Sequence, residues 1–190
     1  MNRGRLFVLS APSGSGKTTV LSALLKRDPK LMRSVSATTR PPRSGERNGK
    51  DYWFLSSARF REGIARGRFL EYARVLKNWY GTPKAPIGKA TRAGRDVLLG
   101  IDIQGARQVR RSRLPTTTLF LLPPSLAVLR QRLERRGTET PEQIRDRLKL
   151  AKRELKEVGR YDYAVVNDRL QEAVEAVETI IRAERFRVRG

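Results

Sequence analysis

Short apolar runs alternate along the chain with segments in which apolar residues recur at helical spacing. Four of these runs have the length and composition of buried strands: Leu6–Ser10, Val97–Ile103, Thr118–Leu122 and Ala164–Val166. The segments with helical spacing that follow them are Lys17–Lys26, Gln104–Arg111, Ser125–Arg135 and Gln171–Arg182. A strand followed by a helix, repeated along the chain, predicts an α/β fold with a parallel sheet covered by helices on both faces.

The stretch 34–83 departs from this alternation and lies between the first helix and the next strand of the sheet. It contains short strand-like pieces at Asp51–Leu55 and Phe69–Val75 around one helix at Ala58–Arg66. Because these pieces interrupt the order of strand and helix, we expect them to form a small lobe inserted into the main domain.

A second departure, Arg130–Lys156, is dense in charges of both signs and poor in apolar residues. A helix pair built from it would be mostly exposed, which is typical of a mobile lid, although an ordinary surface hairpin has the same pattern. We therefore predict one domain over 1–190, with core segments 1–33, 84–124 and 159–190, the inserted lobe 34–83 and the lid 125–158.

Composition limits the chemistry that this fold can perform. The chain has 190 residues, enough for one compact α/β domain with small insertions. It contains no cysteine and no histidine, which excludes disulfides, thiolate metal sites and Ser-His-Asp catalysis. Any reaction must therefore rely on lysine, arginine, carboxylates, hydroxyls and backbone amides. The first apolar run is too short for a signal peptide and no stretch approaches a membrane span, so we expect a cytoplasmic location.

Lysine and arginine outnumber aspartate and glutamate by 41 to 19, a net charge of +22. Such a surplus is typical of proteins with polyanionic partners such as RNA, DNA or nucleotides, and equally of an arginine-rich solvated surface. The basic residues extend from Arg3 to Arg189 rather than forming a block, which argues against a disordered nucleic-acid-binding arm. The charge alone leaves both interpretations open.

Residues 11–18 follow the first strand and precede the first helix, as a phosphate-binding loop does. This loop contains Ala11, Pro12, Ser13, Gly14, Ser15, Gly16, Lys17 and Thr18, with Ala11 in place of the usual first glycine. Its glycines let backbone amides turn toward phosphate oxygens, and the helix N-terminus adds partial positive charge. We expect Lys17 to reach the β- and γ-phosphates of a nucleoside triphosphate and Thr18 to ligate Mg²⁺.

A second candidate anion site lies in the inserted lobe, where Arg40 and Arg43 flank two prolines. The prolines keep the backbone extended and limit the freedom that is lost when two guanidinium groups hold an anion. With Tyr52, these arginines suit a monophosphate group, although an exposed turn is the plainer interpretation in so basic a chain. A phosphoryl acceptor is therefore expected in this lobe.

The order of motifs along almost the whole chain resembles the guanylate kinase family of P-loop nucleoside monophosphate kinases. Beyond the phosphate-binding loop, the resemblance rests on Ser36–Tyr52, Glu71, Asn78–Thr82, Ile101–Gly105 and Val165–Asp168. The Ser-Xaa-Thr-Thr-Arg-Xaa-Pro-Arg and Tyr-Gly-Thr segments are far more specific than the loop alone. The resemblance implies a P-loop NTPase core with an inserted GMP-binding lobe and a helical lid.

In that family the GMP phosphate is held by the residues that correspond to Arg40, Arg43, Tyr52 and Tyr80. Guanine is read by those that correspond to Ser36, Glu71 and Thr82. The Glu71 assignment has a chemical reason, because guanine presents N1–H and N2–H₂ as adjacent donors that one carboxylate can accept together. Adenine has an unprotonated N1 whose lone pair would face the carboxylate, so a buried glutamate discriminates strongly against it.

The acidic segment of the family usually contains two aspartates, in the pattern Asp-Xaa-Asp-Xaa-Gln-Gly. This chain departs from the pattern at Gly100, where the first aspartate is missing. If that aspartate orders the water shell of Mg²⁺, as a Walker-B carboxylate does, the support for the metal is weakened here. Asp102 is the remaining candidate, either near the metal or in the GMP site.

The lid contains Arg132, Arg136 and Arg147, which match family arginines that reach the transferring phosphates, and Asn167 matches an adenine-side asparagine. Phosphoryl transfer needs charge stabilisation and positioning more than covalent chemistry, so Lys17 and these arginines can act without histidine. A closing lid also excludes water. The resemblance implies that a monomer or homodimer converts ATP and GMP to ADP and GDP, with dGMP as a second acceptor.

Two other functions fit parts of the sequence. A protein-interaction module could keep this fold without turnover, but such modules typically lose the loop lysine and the lid arginines, which are present here. A kinase that acts on another phosphorylated sugar or on nucleic acid would explain the net charge of +22. The presence of Ser36, Glu71 and Thr82 argues against it, so nucleic acid is not required for the expected reaction.

Overall fold

The computed structural model describes residues 3–75, 77–112, 114–137 and 139–188. Within these residues the strands are β1 (Leu6–Ser10), β2 (Leu31–Arg33), β3 (Ala37–Thr38), β4 (Trp53–Phe54), β5 (Phe69–Val75), β6 (Asn78–Pro83), β7 (Asp96–Gly100), β8 (Thr116–Leu122) and β9 (Tyr163–Val166). The α-helices are α1 (Lys17–Arg27), α2 (Ser57–Ala65), α3 (Lys84–Arg92), α4 (Ile103–Arg111), α5 (Leu126–Arg136), α6 (Pro141–Leu155) and α7 (Leu170–Phe186). A short 3₁₀ helix, Val158–Arg160, precedes β9.

Five parallel strands form the central sheet, in the order β2-β7-β1-β8-β9. Strand β1 lies in the middle, where Leu6 is opposite Val97 of β7 on one side and Thr116 of β8 on the other. Because parallel strands end at the same edge of a sheet, the loops that follow β1 and β7 meet there. The predicted α/β fold with a parallel sheet is confirmed.

Helices cover both faces of this sheet, as the hydrophobic pattern predicts. On one face, α1 and α7 enclose a buried cluster that includes Phe7 and Leu24. On the other face, α3 and α4 enclose a cluster that includes Val8 and Ile87. Successive side chains of a strand point to opposite faces, so Phe7 and Val8 belong to different clusters. Strand β1 is therefore apolar on both sides and appears in the sequence as an uninterrupted apolar run.

The inserted lobe forms a second sheet of four strands in the order β4-β3-β6-β5. Strand β3 pairs in parallel with β4, and β6 pairs in an antiparallel manner with both β3 and β5. Helix α2 covers this sheet by stacking Phe60 on Phe69 of β5, with ring centroids 4.5 Å apart, beside the buried Ala37. The lobe therefore has a small core of its own next to the central sheet.

The segment predicted to be a lid folds into the helix pair α5 and α6, and it is called the lid below. Where the two helices meet, Leu129, Leu133, Ile144 and Ala151 are buried. The other described residues of the two helices are exposed or half-buried, as expected of a pair that is mostly exposed, and the buried contact between them was not predicted. Four apolar residues spread over two highly charged helices are too few to stand out in the hydrophobic pattern.

Several element boundaries differ from the sequence prediction. Strand β7 ends at Gly100 rather than at Ile103, because Asp102 is the N-cap of α4 and Ile103 is already helical. The hydrophobic pattern does not reveal β2 or β3, since strands of two or three residues carry no periodicity. It also misses β6 and α3, whose glycine and proline residues are uncommon inside strands and helices.

Candidate active site

The phosphate-binding loop joins β1 to α1 at the carboxyl edge of the central sheet. Gly14 and Gly16 have φ angles of 92° and 85°, a region that residues with a Cβ rarely adopt. Ala11, in place of the usual first glycine, is 7% exposed and belongs to the buried cluster between the sheet, α1 and α7. The loop therefore requires glycine at two positions, whereas its first position serves core packing.

Two neighbours hold this loop from behind. Asn167, which follows β9, is 5% exposed and donates its side-chain amide to the Ser15 carbonyl oxygen at 2.7 Å. A Cβ on Gly14 would lie 3.0 Å from side-chain carbons of Leu129 and Leu133, so α5 of the lid packs directly on the loop. Asn167, expected on the adenine side, thus has a contact with the loop backbone that the sequence does not indicate.

Lys17, the first residue of α1, is half-buried and points to the loop after β7. Its ammonium group donates to the Ile101 carbonyl oxygen at 2.7 Å. Burial lowers the pKa of Lys17, and the charges of Asp102, Glu154 and Glu71 oppose this change, in decreasing order. The acidic side chains that act on the lysine belong to three different segments: the start of α4, helix α6 and the inserted lobe.

A cleft runs from the phosphate-binding loop to the inserted lobe. Its two parts, here called the Lys17 cavity and the Glu71 cavity, have volumes of about 300 and about 250 Å³. Both parts are lined by Ser36, Tyr52, Gly100 and Ile101. The Lys17 cavity is also lined by Lys17, Thr18 and Thr82, and the Glu71 cavity by Glu71, Tyr80 and Asp102. Predicted residues of the loop and of the lobe thus lie along one cleft.

Glu71 lies on β5, is 6% exposed and lines the Glu71 cavity. Thr82, its partner across the ladder on β6, donates its hydroxyl to Glu71 Oε1 at 2.5 Å. Burial raises the pKa of the Glu71 carboxyl from 4.5 to about 7; the Thr82 hydrogen bond opposes this shift and the charge of Asp102 adds to it. The carboxyl group is thus a buried hydrogen-bonding group in the wall of a cavity.

Helix α4 holds Glu71 and its strand in place. Gln108 makes two hydrogen bonds to the Tyr72 backbone, donating to the carbonyl oxygen at 2.6 Å and accepting from the N–H at 3.1 Å. A Cβ on Gly105 would lie only 2.6 Å from Glu71 Oε2, so glycine at this position lets the carboxylate approach the helix. Asp102 caps the same helix by accepting from the Gly105 N–H at 2.7 Å.

The raised pKa of Glu71 predicts how stability depends on pH. Because its folded pKa of about 7 exceeds the ordinary 4.5, folding favours the protonated form, and this contribution is fully present only below pH 4.5. It is lost as the pH rises through 7. From about pH 5 to about pH 8, the free energy of unfolding should therefore fall by about 2 kcal/mol through Glu71 alone.

Urea unfolding of the wild type and of Glu71→Gln at several pH values measures this contribution, because the other groups titrate alike in both proteins. As the pH rises, the free energy of unfolding of Glu71→Gln should increase relative to that of the wild type. Parallel pH profiles would contradict the assignment of a raised pKa to Glu71.

In the inserted lobe, Glu46 organises the predicted anion site. Its Oε1 accepts from the Arg40 guanidinium at 2.8 Å and its Oε2 accepts from the Arg43 backbone N–H at 2.7 Å. The hydrogen bond from Arg40, and then that from the Arg43 backbone, lowers the pKa of the Glu46 carboxyl. Arg40 also lies over the Tyr52 ring, 5.5 Å from its centroid, and Tyr52 lies edge-on to Tyr80 at 6.0 Å. These residues form one group, while the Arg43 side chain is exposed.

The three predicted lid arginines have different surroundings. Arg147 of α6 donates to the hydroxyl of Ser13 in the phosphate-binding loop. Arg132 of α5 donates to the Asp168 carbonyl oxygen at 3.2 Å, in the segment that follows β9. Arg136 is the last residue of α5, and its side chain lies outside the described part of the structure. Arg147 therefore contacts the phosphate-binding loop, whereas Arg132 contacts the segment that follows β9.

The comparison with known proteins identifies the family of this chain. A family model described as Guanylate kinase matches residues 3–184. The chain belongs to the guanylate kinase family. The guanylate kinase of Clostridium perfringens (strain SM101 / Type A) is 48% identical over 187 residues, which cover 98% of this chain and 87% of that protein. The guanylate kinase of Gloeobacter violaceus is 51% identical over 180 residues, 95% of this chain and 88% of that protein.

A solved structure extends the similarity to three dimensions. The crystal structure of guanylate kinase from Anaplasma phagocytophilum matches with a TM-score of 0.78 at 33% identity, covering 99% of this chain and 89% of that one. The resemblance to the guanylate kinase family, predicted from the motifs, is confirmed.

At Gly100, where the chain departs from the guanylate kinase pattern, the neighbouring side chain leaves no room for a Cβ. A Cβ on Gly100 would collide with the end of the Leu21 side chain on α1. Leu21 therefore fills the space in which a side chain at position 100 would begin. The retained Asp102 lines the Glu71 cavity, with one carboxylate oxygen engaged as the N-cap of α4.

Four further residues shape this site and were not predicted: Glu46, Gly105, Gln108 and Glu154. Gly105 lies within the recognised Ile101–Gly105 segment, but the reason for a glycine there is its distance from Glu71, which only the fold reveals. A single acid among the arginines of the segment 40–47 is the one signal for Glu46. Nothing in the sequence marks Gln108 or Glu154, because their contacts depend on packing between distant segments.

Proposed function

We propose that this member of the guanylate kinase family transfers the γ-phosphoryl group of ATP to GMP, with dGMP as a second acceptor. The observation that carries the proposal is the cleft, in which the Lys17 and Glu71 cavities share a wall formed by Ser36, Tyr52, Gly100 and Ile101. A triphosphate in the loop and a monophosphate nucleotide beside Glu71 would meet at this wall. The relatives that match the chain are named guanylate kinases.

The chemistry of Glu71 supports guanine as the base. A carboxylate offers acceptors only, which suits the adjacent N1–H and N2–H₂ donors of guanine. The Thr82 hydroxyl holds one carboxylate oxygen and thereby fixes the orientation of the group. Ser36 adds a hydroxyl in the same cavity. Donors on the ligand stabilise the ionised form, so binding of GMP should lower the pKa of Glu71.

The group around Arg40 supports binding of the GMP phosphate. Its guanidinium is fixed by Glu46 on one side and by the Tyr52 ring on the other, so little side-chain freedom is lost when an anion binds. Arg43 supplies a second, exposed guanidinium, and the hydroxyls of Tyr52 and Tyr80 supply neutral donors. Two guanidinium groups and two hydroxyl groups are donors of the kind that the oxygens of a monophosphate accept.

The residues at the loop fit the Mg²⁺ that accompanies ATP. Thr18 is exposed at the Lys17 cavity, and the described residues contain no compact set of three or more acidic or histidine ligands that would hold a metal alone. We infer that the Thr18 hydroxyl ligates the ion while phosphate oxygens and water fill the other positions. When bound, the ion neutralises charge that develops on the transferring phosphates.

Lys17 and the lid arginines stabilise the transfer in this proposal. Lys17 exchanges the Ile101 carbonyl oxygen for oxygens of the β- and γ-phosphates. Arg132, Arg136 and Arg147 add positive charge from the lid, which closes over the donor and excludes water. The attacking oxygen belongs to the GMP phosphate and is already anionic, so no general base is needed and the lack of histidine is no obstacle.

Replacing Gly105 with alanine should weaken GMP binding by on the order of 10-fold while ATP binding stays unchanged. The new Cβ would lie 2.6 Å from Glu71 Oε2, so the carboxylate must move away from its position in the cavity. Calorimetric titration with GMP and with ATP measures the two affinities separately.

Gly88→Ala in α3 is the matched control, because its Cβ would meet only the flexible end of Arg92. It should leave GMP affinity unchanged and stabilise the helix slightly. An unchanged GMP affinity in Gly105→Ala would place the base away from Glu71.

The proposed reaction is tested by a coupled assay with ATP and, in turn, GMP, dGMP, AMP, CMP and UMP. The account predicts turnover with GMP and dGMP and little with the others, because only guanine offers two adjacent donors to Glu71. Equal rates with AMP, or no turnover with GMP, would contradict the proposal. Absence of any turnover would favour an interaction module.

We further propose a cytoplasmic monomer or homodimer that needs no nucleic acid for its reaction. Among the described segments, no helix combines the length and apolarity needed to cross a bilayer. The net charge of +22 attracts anionic nucleotides to the cleft and is compatible with weak binding of nucleic acid.

A further inference from the structure

Glu154 lies in α6, the second helix of the lid, and has no role in the reaction described above. The residue is half-buried, and its Oε2 is buried without a hydrogen-bond partner among the described residues. A buried carboxylate oxygen without a donor is unfavourable. A partner that arrives with bound substrates would remove this cost.

The face of α6 that carries Glu154 looks toward the phosphate-binding loop. Arg147, Ala151 and Glu154 are successive neighbours at one-turn spacing and so share one face of the helix. Arg147 donates to the Ser13 hydroxyl of the loop, and Ala151 is buried. Glu154 is therefore on the inner side of the lid.

The charges that act on Glu154 belong to the cleft. Burial raises the pKa of its carboxyl to about 7; Asp102 adds to this shift and Lys17 opposes it. The charges of Asp102, Glu154 and Glu71, in decreasing order, raise the pKa of the Lys17 ammonium group against the effect of burial. A cation that arrives with ATP would add positive charge that interacts favourably with these carboxyl groups.

We propose that Glu154 is a positioning residue for the donor, whose carboxylate, carried by the lid, binds the water shell of the Mg²⁺ that accompanies ATP. The inference rests on the proposed function. Glu154 would supply a carboxylate to the metal in a chain that lacks the usual aspartate at position 100. Contact through water agrees with the lack of a compact set of direct ligands in the described residues.

The test is the affinity for ATP of the full chain, without GMP, in excess Mg²⁺ and in excess EDTA. In the wild type Mg²⁺ should strengthen ATP binding, and Glu154→Gln should reduce this gain by on the order of 10-fold, as removal of an outer-shell partner does. Affinity in EDTA should stay the same or improve, because a negative charge near the phosphates is removed. Glu154→Asp keeps the charge and should retain part of the gain.

Glu142→Gln is the matched control, because Glu142 lies exposed on the same helix. It should keep the wild-type gain. A purely structural role for Glu154 would change the affinity equally in Mg²⁺ and in EDTA, and either that result or an unchanged gain would overturn the inference. The measurement uses no acceptor, so a failure of the proposed GMP kinase activity in the wild type would appear separately in the turnover assay.

Discussion

Replacing Glu71 with glutamine should lower kcat/KM for GMP by on the order of 10²- to 10³-fold and leave ATP binding intact. Glutamine keeps the size of the side chain but presents an N–H₂ group where the carboxylate presents an acceptor. One guanine donor would then face another donor, so an attractive contact becomes a repulsive one. A coupled assay at varied GMP gives kcat/KM, and calorimetry gives the affinity for ATP.

Glu62→Gln is the control for this substitution, since Glu62 lies on α2 of the same lobe with its side chain 45% exposed. It should keep kcat/KM within about twofold of the wild type, as surface changes usually do. The ratio of GMP to AMP turnover should fall in Glu71→Gln and stay constant in the control. An unchanged ratio in Glu71→Gln would show that guanine is recognised elsewhere.

Replacing Lys17 with methionine should lower kcat by on the order of 10³-fold. Methionine preserves much of the length of the side chain and removes only the charge that would follow the γ-phosphoryl group during transfer. Within the part of the chain that the structure describes, the ammonium group has one hydrogen bond, to the Ile101 carbonyl oxygen, which it can exchange for phosphate oxygens. Because the proposed GMP site lies in the lobe, the loss should fall on kcat, with the affinity for GMP nearly unchanged.

Lys26→Met tests whether any lysine on α1 would have the same effect, because Lys26 is exposed on that helix. Its kcat should stay within about twofold of the wild type. Steady-state rates for both variants, with melting curves to verify folding, make the comparison. A Lys17→Met enzyme that keeps more than about a tenth of the wild-type kcat would contradict a role for Lys17 in charge stabilisation.

Much of the core could be predicted from the sequence because buried parallel strands carry a strong local signal. Strand β1 is apolar on both faces, and the loop with Gly14, Gly16 and Lys17 follows it directly. Glu71 could be singled out only because other motifs of the same family surround it in the sequence, since a glutamate on a strand of this kind is usually solvated. Those motifs lie in the lobe and at residues 101–105.

The remaining features depend on contacts between segments far apart in the chain. Gln108, which looks like an ordinary surface residue in the sequence, holds the Tyr72 backbone. Asn167 was expected on the adenine side, but the sequence does not indicate its hydrogen bond to the Ser15 carbonyl oxygen. The inner contact of the lid rests on a few apolar residues among many charges. Local periodicity has no means of detecting such pairs, because it reports which face of an element is buried and not what covers it.

The proposed function depends most on two contacts: Glu71 binds guanine, and the group of Arg40, Arg43, Tyr52 and Tyr80 binds the phosphate. A crystal structure of the protein with GMP and ADP tests it most directly. The account predicts guanine N1 and N2 within hydrogen-bond distance of the Glu71 carboxylate, and the GMP phosphate among Arg40, Arg43, Tyr52 and Tyr80. A base turned away from Glu71, or a phosphate bound outside this group, would contradict it.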